Sequence, residues 1–402
     1  MYITHLSLTN FRNFARVQLD FPPHIVVLRG DNGQGKSNLL EAVYVLATSR
    51  SHRATNEREL FNWSALEHDL PVCRLSADVE RAAGRIRLEI ALSPQSAASG
   101  TAQLTTHDNP SGDRPQAIQK RIRLNGIPRR AIDLVGQLTV VAFSVQDINI
   151  VSGPPALRRR YLDVTNSQVD RRYLRALQRY QRVLWQRNRL LRLIAKREAG
   201  EDELAFWDAQ LVENGSYLIK GRQEMVAALN QLAGAIHQEL SDDRTPLTVT
   251  YIASTDREKV PASGDNGLPE EDLGRALQAV RPRELTLGMT LIGPHRDDLR
   301  FSVGDVDMSV YGSRGQQRVV ALALKLAEAR FMHARMGDDP VLLLDDVLSE
   351  LDAAHRLHLL ASVAAYRQVL MTTTDLDHFD PGFLEQAALY LVSSGGIEPA
   401  KG

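Results

Sequence analysis

The chain has 402 residues, 43% of them hydrophobic and 24% charged, with a formal net charge of −1; this composition excludes global disorder and collagen-like repeats and leaves room for two or three packing units. Its longest apolar runs, such as Ile25-Val26-Val27-Leu28 and Val341-Leu342-Leu343-Leu344, are strand-length and far short of a bilayer span. One cysteine, Cys73, excludes an internal disulfide and a cysteine-clustered zinc site, and the opening Met1-Tyr2-Ile3-Thr4-His5 lacks a secretion signal, so a cytoplasmic location is expected.

In chain order, Leu6 and Leu8, then Val17, Leu19 and Phe21, alternate with polar residues, and Ile25 to Leu28 runs apolar throughout. That predicts three strands, the last buried on both faces. Gly30-Asp31-Asn32-Gly33-Gln34-Gly35-Lys36-Ser37 follows at once and matches G-x-x-x-x-G-K-[ST] in full, with the helical pattern Leu39, Leu40, Val43 and Leu46 behind it. Glycines let successive backbone N–H groups turn toward phosphates, and the helix N-terminus adds positive potential. Every residue from Gly30 to Ser37 is therefore an expected nucleotide contact, Lys36 on the β and γ oxygens and Ser37 on Mg²⁺.

Residues 93–116 and 254–272, rich in Ser, Pro, Gly and charge, read as exposed, mobile loops. Between them, Val169, Tyr173, Leu177, Tyr180, Leu184, Leu191 and Ile194, then Phe206, Leu211, Leu218, Met225, Leu229, Leu232 and Ile236, recur at helical spacing, with a turn at 198–203. An antiparallel hairpin of helices about 45 Å long would project from a globular body. Residues 157–197 hold thirteen Arg and Lys against two Asp, a net +11, which leaves −12 for the remainder. These charges either solvate the outer face or form a nucleic-acid surface, for which Arg187, Arg189 and, past the first helix, Arg53 are candidates, Arg53 being equally a surface ion-pair partner.

The C-terminal quarter returns to a helical stretch from Gln317 to Met332 and buried strands at Val341 to Leu344 and Val369 to Met371. Asp345 ends the first of these strands, where the Mg²⁺-side carboxylate of a nucleoside triphosphatase belongs, and Asp346 is placed to orient or deprotonate the attacking water. Strands and helices split by a helical insertion indicate an α/β architecture, with boundaries expected at 1–145, 146–318 and 319–402.

Tyr311-Gly312-Ser313-Arg314-Gly315-Gln316-Gln317-Arg318 resembles the signature motif of ABC-type ATPases, with Ser313, Gly315 and Gln316 in the matching places, and Ser349-Glu350-Leu351-Asp352 resembles their D-loop. With Leu8-Thr9-Asn10-Phe11-Arg12-Asn13-Phe14, Thr48-Ser49-Arg50-Ser51-His52-Arg53, Arg158-Arg159-Arg160-Tyr161-Leu162-Asp163 and Gly293-Pro294-His295-Arg296-Asp297-Asp298, the motif order resembles the RecF family of bacterial DNA-repair ATPases, relatives of SMC proteins, essentially end to end.

The resemblance implies an ABC-type P-loop ATPase head with a helical second lobe carrying a short hairpin arm. It implies a weak ATPase that uses ATP and Mg²⁺ and for which hydrolysis is a switch. It further implies an ATP-dependent homodimer, single- and double-stranded or gapped DNA as ligand, RecO and RecR as partners, no membrane, and a role in recombinase loading and the SOS response. Gln146 stands near the place of a Q-loop glutamine, a plain surface residue being the other reading. The departures are Arg314 where transporters carry Gly, Asp346 in place of Glu, and Thr373-Thr374-Asp375 where a switch His is usual. A transporter ATPase subunit and a non-hydrolysing nucleotide-gated scaffold are the rival readings.

Overall fold

The computed structural model describes residues 1–67, 72–94, 117–241, 245–257 and 269–400. Most of the two segments read as loops, 95–116 and 258–268, lies outside the described residues. The chain forms two compact units, Met1–Ser144 with Asp338–Gly402, and Val145–Gly337. The second boundary thus falls after residue 337 rather than 318. Helix Arg314–Met336 packs against Ile148–Ser152, Pro155–Val169 and Leu204–Leu240, so all of it belongs to the inserted unit.

The first unit contains two six-stranded sheets. One is antiparallel, in the order Phe14–Asp20, Tyr2–Phe11, Cys73–Glu80, Ile86–Pro94, Ile118–Leu124, Ile127–Arg129. The alternation at Leu6, Leu8, Val17 and Leu19 is its inward face. The other sheet runs Gly396–Pro399, Ala387–Ser393, His24–Arg29, Gln368–Thr373, Val341–Asp345, Val140–Ser144, all parallel except the terminal hairpin. Ile25 to Leu28 and Val341 to Leu344 are buried because a parallel sheet is covered on both faces.

Register brings Asp345 opposite both Ser144 and Thr372, and Arg29 opposite Thr373. The carboxyl ends of four strands therefore share one edge, where open α/β sheets bind ligands. Helix Lys36–Thr48 starts at that edge and touches strands of both sheets, which explains why it is apolar nearly all round.

The second unit holds the two long helices, Arg171–Ala195 and Leu204–Leu240, with a short turn at Glu201–Glu203 between them. It also has a three-stranded antiparallel sheet, Val306–Asp307, Asp298–Val303 and Leu247–Ile252. The hairpin is not bare: helix Pro269–Leu287, which begins inside the stretch read as a loop, packs on both of its helices. Leu273, Ala276, Leu277 and Val280, at helical spacing, enter one core with Tyr173, Tyr180, Leu211 and Leu218. Gly215 permits the approach, since a Cβ there would stand 2.9 Å from Leu273 and 3.1 Å from Tyr180. Among the described residues, no helix is long and apolar enough to cross a membrane.

Candidate nucleotide-binding site

The strand His24–Arg29 ends, the chain turns through Gly30 to Gly35, and helix Lys36–Thr48 begins. Glycine is required at two places for different reasons. A Cβ at Gly30 would lie 2.3 Å from the Val392 carbonyl oxygen, and Gly35 has φ +115° with Asn13 Nδ2 2.4 Å from where its Cβ would be. Neighbours fix the loop from outside: Asn13 Nδ2 donates to the Gln34 carbonyl at 2.8 Å, and the Ser394 amide donates to Gln34 Oε1 at 2.6 Å. Gly35, as N-cap, offers no side-chain acceptor, so the first amides of the helix remain available to an anion. Asp31, Asn32 and Gly33 line the exposed rim of the loop.

Lys36 is only 7% exposed and lies back across the loop, donating to the carbonyls of Gly30 and, at 3.0 Å, Asp31. Burial lowers its pKa, opposed by the negative charges of Asp346, Asp345 and Asp31. Ser37 Oγ donates to Asp345 Oδ1 at 2.6 Å, and the Thr372 hydroxyl approaches the same oxygen at 3.0 Å. This all-oxygen set suits Mg²⁺, which takes one or two carboxylates and leaves its other positions to phosphate and water.

Asp346 sits in the left-handed region at φ 53°, its amide donating to Thr372 Oγ1 at 2.9 Å. Burial raises its carboxyl pKa against the pull of Lys36, which makes the carboxylate a stronger base. His378 contributes to the field at Asp346, and its Nδ1 accepts from Arg356 Nη1 at 2.8 Å, which places its own proton on Nε2. Sequence reasoning assigned no role to Asn13, Thr372 or His378. Asn13 lay inside a quoted motif, whereas Thr372 and His378 are legible only once Gln368–Thr373 is known to neighbour Val341–Asp345.

Ser313, Gly315, Gln316 and Gln146 belong to the second unit. Ser313 caps helix Arg314–Met336: the Gln316 amide donates to its Oγ at 3.2 Å, and the Ser313 amide donates to Gln316 Oε1 at 2.9 Å. The helix therefore starts at Arg314, and Ser313, Gly315 and Gln316 all face solvent. Beside them Tyr311 is 76% exposed. Gln146 is exposed in the turn Val145–Asp147.

Of the basic candidates, Arg189 is exposed on its helix, and Arg53 is exposed while donating to Asn38 Oδ1 at 3.2 Å. Arg187 is a correction. It is 0% exposed and spent on protein partners: Asp208 at 2.7 Å, Glu284 at 2.6 Å and Thr290 Oγ1 at 2.8 Å. It ties three segments together and cannot touch DNA. Arg158 is likewise buried against Asp298. His295 pairs with the Tyr180 hydroxyl at 2.7 Å in the same helical core, a structural placement.

Residues 2–391 match the family described as RecF/RecN/SMC N terminal domain. The chain is 45% identical over 404 residues to the DNA replication and repair protein RecF of Chloroflexus aurantiacus, covering 99% of each. It is also 45% identical to that of Roseiflexus castenholzii, covering all of both. The solved structure of the recombination mediator protein RecF with ATP, in the RecFOR pathway, superimposes with a TM-score of 0.82 at 29% identity, covering 100% of this chain and 98% of that one. An Smc head bound to the C-winged helix domain of ScpA gives a TM-score of 0.52 at 14% identity, a likeness of fold alone.

Proposed function

This chain belongs to the RecF family, and from that premise we propose that it acts in DNA replication and repair as an ATP-binding, SMC-type ATPase. It binds gapped or single-stranded/double-stranded DNA, closes into a two-fold dimer on ATP, and opens on slow hydrolysis. The observation that carries this reading is the cluster of Lys36, Ser37, Asp345, Asp346 and Thr372 at one sheet edge.

The steps follow from these groups. Helix amides and Lys36 take up the β and γ oxygens, Lys36 exchanging its loop carbonyls for phosphate. Ser37 and Asp345 would hold Mg²⁺, which neutralises charge developing on the phosphoryl oxygens. Asp346 receives the proton of the attacking water as the new P–O bond forms and the β–γ bridge breaks, yielding ADP and phosphate. Its carboxyl is one methylene shorter than the usual Glu, consistent with a switch rather than a fast catalyst.

In the dimer, Ser313 and the exposed start of helix Arg314–Met336 supply donors to the γ-phosphate held by a second copy. Losing that phosphate loses the contacts, and the dimer and its DNA part. RecO and RecR are the partners this reading implies.

The test is Asp346→Asn, compared with wild type for ATPase rate with and without gapped duplex, and by light scattering in ATP and Mg²⁺. Hydrolysis should fall about 100-fold or more while ATP binding persists and the dimer accumulates. A variant that stays monomeric with ATP bound refutes closure by nucleotide.

A further inference from the structure

Helix Arg171–Ala195 buries Tyr173, Tyr180, Val183, Leu190 and Leu191 in the helical core, so its apolar side is fully used. On the opposite side stand Arg171, Arg175, Arg182, Trp185, Arg189 and Arg192, all exposed. At 3.6 residues per turn these six fall within about a third of the circumference, and they span about 31 Å at 1.5 Å per residue.

The two sides treat arginine in opposite ways. Arg187, facing in, is given two carboxylates. Arg175, Arg182, Arg189 and Arg192, facing out, meet no carboxylate among the described residues. Arg182 and Arg192 donate only to carbonyls of their own helix, and Arg189 lies over the Trp185 ring with its guanidinium carbon 5.9 Å from the ring centre. Like charges a turn apart weaken a helix, and an anion lying along Arg175, Arg182, Arg189 and Arg192 would relieve that repulsion.

Trp185 interrupts the row and is 57% exposed. An indole on a convex cationic surface matches one ligand well. Phosphates satisfy the arginines on either side, and a base with a free face lies on the ring. A base in an intact duplex offers no such face. A lipid surface is a poor fit because the apolar side of the helix is already buried.

We propose that this face is a path for single-stranded DNA, with Trp185 as the stacking platform for one unpaired base and Arg175, Arg182, Arg189 and Arg192 tracking the backbone. The inference rests on the DNA-binding reading above and deepens it: the chain prefers the single-stranded side of a junction.

The full chain, with ATP and Mg²⁺, is titrated into a fluorescein-labelled oligo-dT and into a blunt duplex of equal length across a salt series. Trp185→Ala should weaken oligo-dT binding about 5- to 150-fold with an unchanged salt slope and leave the blunt duplex untouched. Trp185→Phe should retain most of the affinity, and Trp185→Gln should reproduce the alanine loss. Arg189→Gln should instead weaken both ligands and reduce the slope by about 0.7 on the single strand. Coincident melting curves check that the variants fold. Trp185→Ala binding oligo-dT like wild type, or losing both ligands equally, overturns the stacking role. Wild type that binds neither ligand defeats the DNA-binding reading itself.

Discussion

Arg187→Met keeps the apolar stem of a side chain with no exposure and removes only its guanidinium. Glu284, whose side chain is also 0% exposed, then loses its cation and keeps only the Leu291 amide at 2.8 Å, while Asp208 is left to Arg281 alone. Stripping one partner from a buried pair costs about 3–5 kcal/mol because the other charge stays behind. In a unit of this size each kcal/mol shifts the midpoint by about 2–4 °C, so melting of the second unit should fall by about 6–20 °C. Adding Glu284→Gln removes the stranded charge and should recover part of the loss, with a coupling of about 0.5–3 kcal/mol in a double-mutant cycle. Differential scanning calorimetry and urea titration read stability, and a salt series reads DNA binding of the folded protein, whose slope should match wild type. A variant within about 0.5 kcal/mol of wild type but with a reduced slope would make Arg187 a surface cation and refute the packing described.

Gly35→Ala forces a side chain onto Asn13 at φ +115° and should abolish nucleotide binding in calorimetric titration while leaving the second unit's melting unchanged; wild-type affinity would mean the loop is not held by Asn13. Ser37→Ala should bind ATP with nearly the same affinity with and without Mg²⁺; a Mg²⁺ effect as large as in wild type would remove Ser37 from the metal. His295 has its pKa lowered to about 4 by removal from water, with Arg296, Arg159 and Arg222 adding to the shift. The unfolded chain takes up this proton near pH 6.5, so the stability from keeping the ring neutral is full above about 6.5 and lost as pH falls toward 4, by at most about 3 kcal/mol. His295→Gln should flatten that part of the stability profile; an equally steep profile would place the titration elsewhere.

Legibility in the sequence followed the range of the interactions. The strand, glycine loop and helix from Ile25 to Leu46 are set by neighbours in the chain, and the structure has all three in that order, with the strand at His24–Arg29 and the helix at Lys36–Thr48. Charge alone points Arg187 toward solvent, where the structure buries it, although its position in the sequence holds the opposite signal. The apolar series 173, 177, 180, 184 skips to 191, and Arg187 fills the vacant place on that face. Its partners, Asp208 and Glu284, come from two other helices, so no local pattern could pair them. The same limit hid Thr372, whose meaning depends on strand register, and helix Pro269–Leu287, whose start is dominated by charge and proline while its core face begins only at Leu273.

The strand that leads into the phosphate loop, His24–Arg29, has as its two sheet neighbours Gln368–Thr373 and Ala387–Ser393. On a ribosome it is made early but waits for more than 300 residues of chain, at about 5–20 residues per second on the order of 20–70 s, before either neighbour exists. The inserted unit carries its own core and can fold in that interval, whereas the apolar run Ile25 to Leu28 lacks both of its strand neighbours until residues 368–393 have been made. A nascent chain that has not reached residue 368 thus holds the whole phosphate-loop sequence without the strand that neighbours it and brings Thr372 to Asp345.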